Sequence, residues 1–268
     1  MLKLPRFRAA AVQASPVYLN PGATADKAAS LIREAAANGA KLVAFPEVFV
    51  PGYPYWNWIT DPVTGSAWFE KLAKASVLVP GPEVDAVRKA ARDTGCYVVL
   101  GVNERSPVSL GAIYNTLVFI GPDGAVLGKH RKLVPTWAEK LTWTGGDGSS
   151  LRVYDTEIGR LGGLACGENT NTLARFALLG QGELVHVASY ISLPVAPPTT
   201  TWRRRSSCAR SPIPLRARFL RSSPARPCRR RSSRRWKRSS PTRVRACSAN
   251  QARSPASSDL TAAWSAIP

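Results

Sequence analysis

The chain lacks several things that would each fix its class. No apolar run approaches the length of a membrane span, and no apolar signal region stands at the N-terminus, where Met1 to Arg6 leads straight into a strand-like segment. A reducing, cytoplasmic setting is therefore the expectation. Cysteine is sparse: of five, only Cys96 and Cys166 precede position 199. None forms a close pair or a metal-type spacing, which leaves no basis for a disulfide framework or a zinc site. Acidic residues all but vanish from the last stretch. Residues 199–268 hold 18 of the 37 Lys and Arg but a single acid, Asp259. The remaining 19 basic and 16 acidic residues give the first part an ordinary globular balance, so the net charge of +20 belongs to the tail. A length of 268 residues suits one large domain or two small ones.

What is present alternates. Phe7–Ala14 reads as a strand, Asn20-Pro21-Gly22 as a break, and Thr24 as the cap of a helix with Ala28, Leu31, Ile32 and Ala35 on its apolar face. Asn38-Gly39 stops that helix. Lys41–Pro46 is a short apolar strand with Glu47 at its end. A loop rich in aromatic residues follows (Tyr53, Tyr55, Trp56, Trp58), then helices around Trp68–Ala73 and over Glu83–Thr94. Strands are predicted at Tyr97–Val102, Tyr114–Ile120 and Ala125–Lys129, the last two joined by the Pro122-Asp123-Gly124 turn. Leu151–Tyr154 and Ile158–Gly162 read as a further strand pair, Thr172–Leu179 as a helix and Glu183–Ser189 as a strand. Strands with helices between them indicate α/β layering, and the hairpins indicate sheets that are not purely parallel.

Three reactive side chains each stand just past an apolar strand: Glu47, Lys132 and Cys166. Strand C-terminal ends are where reactive groups gather in layered α/β folds. Cys166 closes the small-residue run Leu161-Gly162-Gly163-Leu164-Ala165 and precedes a helical pattern, a strand-to-helix turn where backbone N–H groups and the helix dipole favour thiolate. Taken singly, each has a plainer use: a buried cysteine, a surface acid, a lysine on a solvated basic face. His130 reads as a packed or exposed neighbour.

Together these residues sit in motifs. They are Phe45-Pro46-Glu47, the run His130 to Thr136 with Glu139, Gly146-Asp147-Gly148, and Cys166-Gly167-Glu168-Asn169. Leu173–Leu178, Gln181-Gly182-Glu183 and His186–Ser189 complete the pattern. From about Arg8 to Pro198 the chain resembles the nitrilase branch of the carbon–nitrogen hydrolase superfamily. The resemblance implies a four-layer αββα sandwich with the site between its layers, C-terminally incomplete here, and self-association into a homo-oligomer. It implies a small nitrile as substrate, or an amide in an amidase of the same superfamily, with ammonia and a carboxylic acid as products and no metal or organic cofactor. Cys166 would be the nucleophile that forms a thioimidate, Glu47 the general base, and Lys132 the cation that lowers the thiol pKa and stabilises developing charge. Glu139 would position the lysine. Many nitrilases carry tryptophan after the nucleophile; Gly167 stands there instead and opens space beside the thiol. Tyr53 and Trp56, with Trp58 near them, and Gly167, Glu168 and Asn169 are the candidate pocket residues.

After Pro198 apolar periodicity ends, and Arg, Ser, Pro and Ala dominate Thr199–Pro268. Such a tail reads as disordered. Its Arg runs at 203–205 and 229–231 would attract phosphates, but positive charge alone is thin support for a nucleic-acid role, and a change of reading frame accounts for the segment better. Related sequences continue after the paired prolines as Asp-Tyr-Asp-Met-Ala-Glu-Ala-Ile, written in GC-rich codons GAC TAC GAC ATG GCG GAG GCG ATC. Loss of one G gives ACT ACG ACA TGG CGG AGG CGA TC, which translates as Thr199 to Ser206. On this reading residues 1–198 are a truncated hydrolase domain and residues 199–268 an out-of-frame tail. Arg and Ser cannot replace the burial that the missing layers would supply. The 268-residue chain is accordingly expected to be poorly soluble or inactive. A sharp cooperative melt of the purified chain together with nitrile turnover would overturn that expectation, and resequencing across the Pro198 codon tests the frame itself.

Overall fold

The computed structural model describes residues 5–109 and 111–191, and the backbone of Ala217–Arg221. In chain order these residues form β1 (Arg8–Ala11), α1 (Pro21–Ala37), β2 (Ala40–Ala44), α2 (Pro62–Ala75), α3 (Pro82–Thr94), β3 (Tyr97–Arg105), β4 (Ile113–Ile120) and β5 (Val126–Arg131). There follow β6 (Leu161–Ala165), α4 (Thr172–Gly180), β7 (Val185–Ser189) and β8 (Ala217–Arg221). The first sheet has the order β1-β2-β3-β4-β5, parallel across β1, β2 and β3 and antiparallel across β3, β4 and β5. The second has the order β6-β7-β8, with β6 and β7 parallel and β8 antiparallel. β8 lies inside the tail for which the sequence predicts no regular structure. The proposed frame change at Pro198/Thr199 and Cys208, Cys228 and Cys247 lie outside the described residues.

Period-two alternation decides which sheet face meets what. Val43, Phe45, Val98, Leu100, Val118 and Ile120 pack under Ala28 and Ile32 of α1 and Val84, Val87 and Ala91 of α3. The intervening Leu42, Ala44, Val99, Leu117 and Phe119 pack against Leu161, Val185 and Val187 of the second sheet. Leu164 on the other face of β6 meets Ala174 and Leu178 of α4. With both faces of the first sheet covered, its central strands read as near-continuous apolar runs. Among the described residues no helix is long and apolar enough to cross a membrane.

Local chemistry explains the boundaries. α1 starts at Pro21, earlier than the Thr24 cap predicted from sequence. Asn20 Oδ1 accepts from the Ala23 N–H (3.0 Å), and the Thr24 hydroxyl serves the preceding loop instead, accepting from Val17 N and donating to Val17 O. Asp61 caps α2 in the same way through the N–H groups of Val63 and Thr64. Gly95 ends α3 in the left-handed region (φ 64°). The strand pair predicted over Leu151–Tyr154 and Ile158–Gly162 reduces to a single bridge, Tyr154 to Leu161, because residues 161–165 pair with β7 instead.

One contact in the first sheet bears directly on Glu47. A Cβ on Gly101 of β3 would stand 2.2 Å from Pro46 O and 2.6 Å from Val48 N. The glycine lets the Pro46–Val48 segment lie flat on β3, where the Val50 N–H donates to Gly101 O (3.1 Å). Gly101→Ala is expected to displace that segment and to cost about 1–3 kcal/mol, the usual range for overpacking. Its urea midpoint should fall well below that of Gly180→Ala, where an added Cβ meets nothing within 4 Å; equal midpoints would contradict this packing.

Candidate functional site

The end of β6 is built for close approach. All five of its residues are buried, and a Cβ on Gly163 would lie 2.8 Å from Val187 O of β7. Cys166 follows directly, in the left-handed region (φ 49°), and opens a short 3₁₀ turn over Cys166–Thr170. A non-glycine residue rarely adopts such a φ and needs support from its surroundings. Glu168 and Asn169 supply it. The Asn169 Nδ2 donates to Leu164 O and Cys166 O (3.0 Å each), and its Oδ1 meets His186 Nε2 at 2.8 Å. Glu168 accepts from the N–H of Ala165 (3.1 Å) and of Leu133 (2.7 Å), and His130 Nε2 faces it at 3.1 Å. This one carboxylate therefore ties the cysteine turn to the segment carrying Lys132.

Lys132 is the next residue after β5. Its two neighbours in the strand, Lys129 and Arg131, pair with Glu104 (2.6 Å each), so the basic cluster divides. Burial would raise the Glu104 carboxyl, but Arg131, Lys129 and Thr116 hold it below the usual carboxylate range. Lys132 turns inward, 1 % exposed, and its ammonium donates to Glu47 Oε1 (2.9 Å) and Glu139 Oε2 (2.6 Å). Glu139 is fixed in turn by the Thr136 N–H (2.7 Å) and the Tyr53 hydroxyl (2.8 Å). Asn115 of β4 donates from Nδ2 to Glu47 Oε1 (2.6 Å). Glu47 Oε2 and Asn115 Oδ1 are buried and have no hydrogen-bond partner among the described residues.

Cys166 shares this electrostatic environment. Burial pushes its thiol well above the ordinary value, the Glu47 charge pushes it further, and Lys132 and the Gly167 N–H pull it down. This corrects the thiolate-favouring setting inferred from the turn: desolvation and a facing carboxylate outweigh the backbone donor and the lysine. Burial likewise raises the Glu47 carboxyl, although Lys132 opposes the shift. Burial would strip Lys132 of its proton, but the carboxylates of Glu47 and Glu139 outweigh it and hold the ammonium charged.

The structure joins Glu47, Lys132 and Glu139 in one hydrogen-bonded cluster and sets Cys166 within reach of their charges. It uses the other sequence candidates differently. Tyr53 is buried and bonded to Glu139 and Trp58, and Trp56 is buried and stacks on Trp68 (6.0 Å between centroids). Glu168 and Asn169 are engaged in the turn itself, where their side chains hold the backbone around Cys166. Gly167 does leave room, since a Cβ there would meet only Thr136 Oγ1, at 3.3 Å. Asn115 escaped the sequence reading; its one signal was an amide within an apolar strand. A cavity of about 290 Å³ between β1 and α1, lined by Arg8, Gln13, Leu31 and Glu34 among others, lies away from these groups and contains no nucleophile.

Comparison with known proteins bears on the family and the fold. Residues 8–211 match the family model described as carbon-nitrogen hydrolase. The chain is 45 % identical over 190 residues to a nitrilase of Bacillus sp. (strain OxB-1), an alignment covering 71 % of this chain and 55 % of that protein. It is 44 % identical over 185 residues to an aliphatic nitrilase of Rhodococcus rhodochrous, covering 69 % and 50 %. It thus spans about half the length of the curated relatives it matches. Among solved structures, Nit3 of Saccharomyces cerevisiae, a member of branch 10 of the nitrilase superfamily, superposes with a TM-score of 0.58 at 24 % identity, covering 73 % of this chain and 68 % of that one.

The opposed influences on Cys166 make a signed prediction. Glu47→Gln removes a charge that raises the thiol pKa, so alkylation of Cys166 by iodoacetamide should set in at lower pH than in the parent. Lys132→Met removes the opposing charge and should move it to higher pH. Mass spectrometry of the Cys166 peptide across a pH series reads both, and shifts in the same direction would refute the arrangement.

Proposed function

Because this chain belongs to the carbon–nitrogen hydrolase family, we propose that its site hydrolyses a small nitrile to the carboxylic acid and ammonia through a covalent intermediate on Cys166. The observation that carries the reading is the carboxylate of Glu47. One oxygen is held by Lys132 and Asn115, while the other is buried without a partner among the described residues, and the carboxylate's charge acts on the Cys166 thiol. In the first step Glu47 takes the thiol proton as sulfur adds to the nitrile carbon, and the proton passes to nitrogen to give a thioimidate. Water then adds, ammonia departs, and a thioester remains. A second water, deprotonated by Glu47, releases the acid and restores the thiol. Splitting the hydrolysis lowers each barrier. Lys132 stays an ammonium throughout and stabilises charge that develops on the reacting group, a contribution of roughly 3–4 kcal/mol for a preorganised donor. Glu139 keeps it aimed.

The layering of α1 and α3, two sheets and α4 supports the four-layer sandwich of the family, and pairing of such units into a homo-oligomer goes with it. A small molecule is the partner this site suits. An amide meets the same three groups, so nitriles and amides are both assayed.

Ammonia release is measured with nitrile and amide panels for the 268-residue chain and for a chain whose gene carries one G restored before the Thr199 codon. The restored chain is expected to release ammonia from nitriles. Cys166→Ala should abolish this, and Glu47→Gln should slow it about 10²–10⁴-fold, the usual share of general acid–base catalysis. Faster turnover of amides would replace the nitrilase reading with an amidase one. A folded, restored chain inert toward both panels would overturn the hydrolase reading.

A further inference from the structure

Among the described residues two buried acceptors of the site have no donor: Glu47 Oε2 and Asn115 Oδ1. Buried polar atoms are almost always satisfied, and each exception calls for an explanation. The orientation of Asn115 is fixed by chemistry. Its Nδ2 donates to Glu47 Oε1 at 2.6 Å, and a flipped amide would set oxygen against oxygen. Each orphan is therefore the second atom of a group whose first atom joins in that hydrogen bond, which keeps the two in one neighbourhood of the site. Asn115 is 1 % exposed and stands on β4, where its own backbone carbonyl accepts from the Lys132 N–H (2.8 Å). The strand that aims the amide thus also anchors the lysine.

Resting on the proposed nitrile hydrolysis, we propose that Asn115 Oδ1 and Glu47 Oε2 form an acceptor pair for the substrate nitrogen once that nitrogen has gained hydrogens. A nitrile nitrogen carries no hydrogen and gives the pair nothing to bind. Addition of Cys166 Sγ to the nitrile carbon, with the thiol proton moved to nitrogen, yields a thioimidate with one N–H. Addition of water then yields a tetrahedral carbon bearing OH, NH₂ and sulfur. Acceptors that engage only these later species lower barriers without tightening substrate binding. The tetrahedral species has two exits. Breaking C–N after a proton reaches nitrogen expels ammonia and leaves the thioester. Breaking C–S returns the thiol and releases the amide. A nitrogen held by two acceptors is favoured to take up the third hydrogen, so the pair directs the reaction to acid and ammonia. Asn115 is then a residue that binds the reacting nitrogen through Oδ1 and positions Glu47 through Nδ2.

The groups facing Glu47 are Lys132, Glu139, Cys166, Tyr53, Tyr55 and Asn115. Loss of the Asn115 donor leaves the carboxylate less stabilised, so its pKa rises and the acid limb of kcat/KM moves to higher pH. The test compares parent, Asn115→Leu and Asn115→Ala, each as the 268-residue chain and as the chain with the restored frame, on one nitrile with acid and amide quantified separately. The expected result in both variants is at least a threefold rise in the amide share of product, with the acid limb displaced upward. A variant that merely folds poorly would lose rate with product ratio and pH limb intact. That outcome, in a chain whose parent turns over nitrile, overturns the inference alone. Absence of ammonia and of amide from both parent forms overturns the underlying reading and this inference with it.

Discussion

The site depends on one buried ammonium. Lys132 is held between the carboxylates of Glu47 and Glu139, all three almost wholly out of water. Such charges persist in a protein interior only when paired, and removal of one partner typically costs about 3–5 kcal/mol. The pairing has consequences on both sides. It keeps the lysine charged against the pull of burial, and it leaves Glu47 with one tied and one uncommitted oxygen. Burial first, and then the charges of Glu47 and Glu139, raise the Cys166 thiol.

Around this core the protein uses carboxylates as ties between segments distant in the chain. Glu139 joins Lys132 to Thr136 and Tyr53, Glu168 joins the cysteine turn to Leu133, and Glu104 draws Lys129 and Arg131 away from the site. The tie between Lys132 and Glu139 is nearly dry, and in a medium of low polarity such a charge-assisted bond holds geometry tightly, whereas Lys129 and Arg131 reach Glu104 from partly exposed positions. The left-handed backbone at Cys166 is sustained by these contacts, with Asn169 clasping the carbonyl groups on both sides of the turn.

Much of the local structure was legible beforehand. Helix stops at Asn38-Gly39 and Gly95, the Pro122–Gly124 turn and the apolar strands all follow from backbone chemistry that short stretches express. Where the reading slipped, a longer-range competitor was responsible. Thr24 was bound by the loop before it, leaving the cap to Asn20. Residues 161–165 found a better partner in β7 than in Leu151–Tyr154. Of the site, Glu47, Lys132 and Cys166 were legible as reactive types at strand ends, whereas Asn115 looked like one more strand residue.

The linear order of residues thus determined the alternation of elements, the two-sided burial of the central strands and the identities of the reactive groups, since these rest on periodicity and side-chain chemistry alone. Only the folded arrangement decided the sign of the shift at Cys166, the division of the basic cluster between Glu104 and the interior, and the hydrogen bonds by which Glu168 and Asn169 support the cysteine turn. Each of these turns on which charges meet at a few ångströms in a dry setting. Spacing along a chain does not encode that, because groups 35 to 86 positions apart become neighbours.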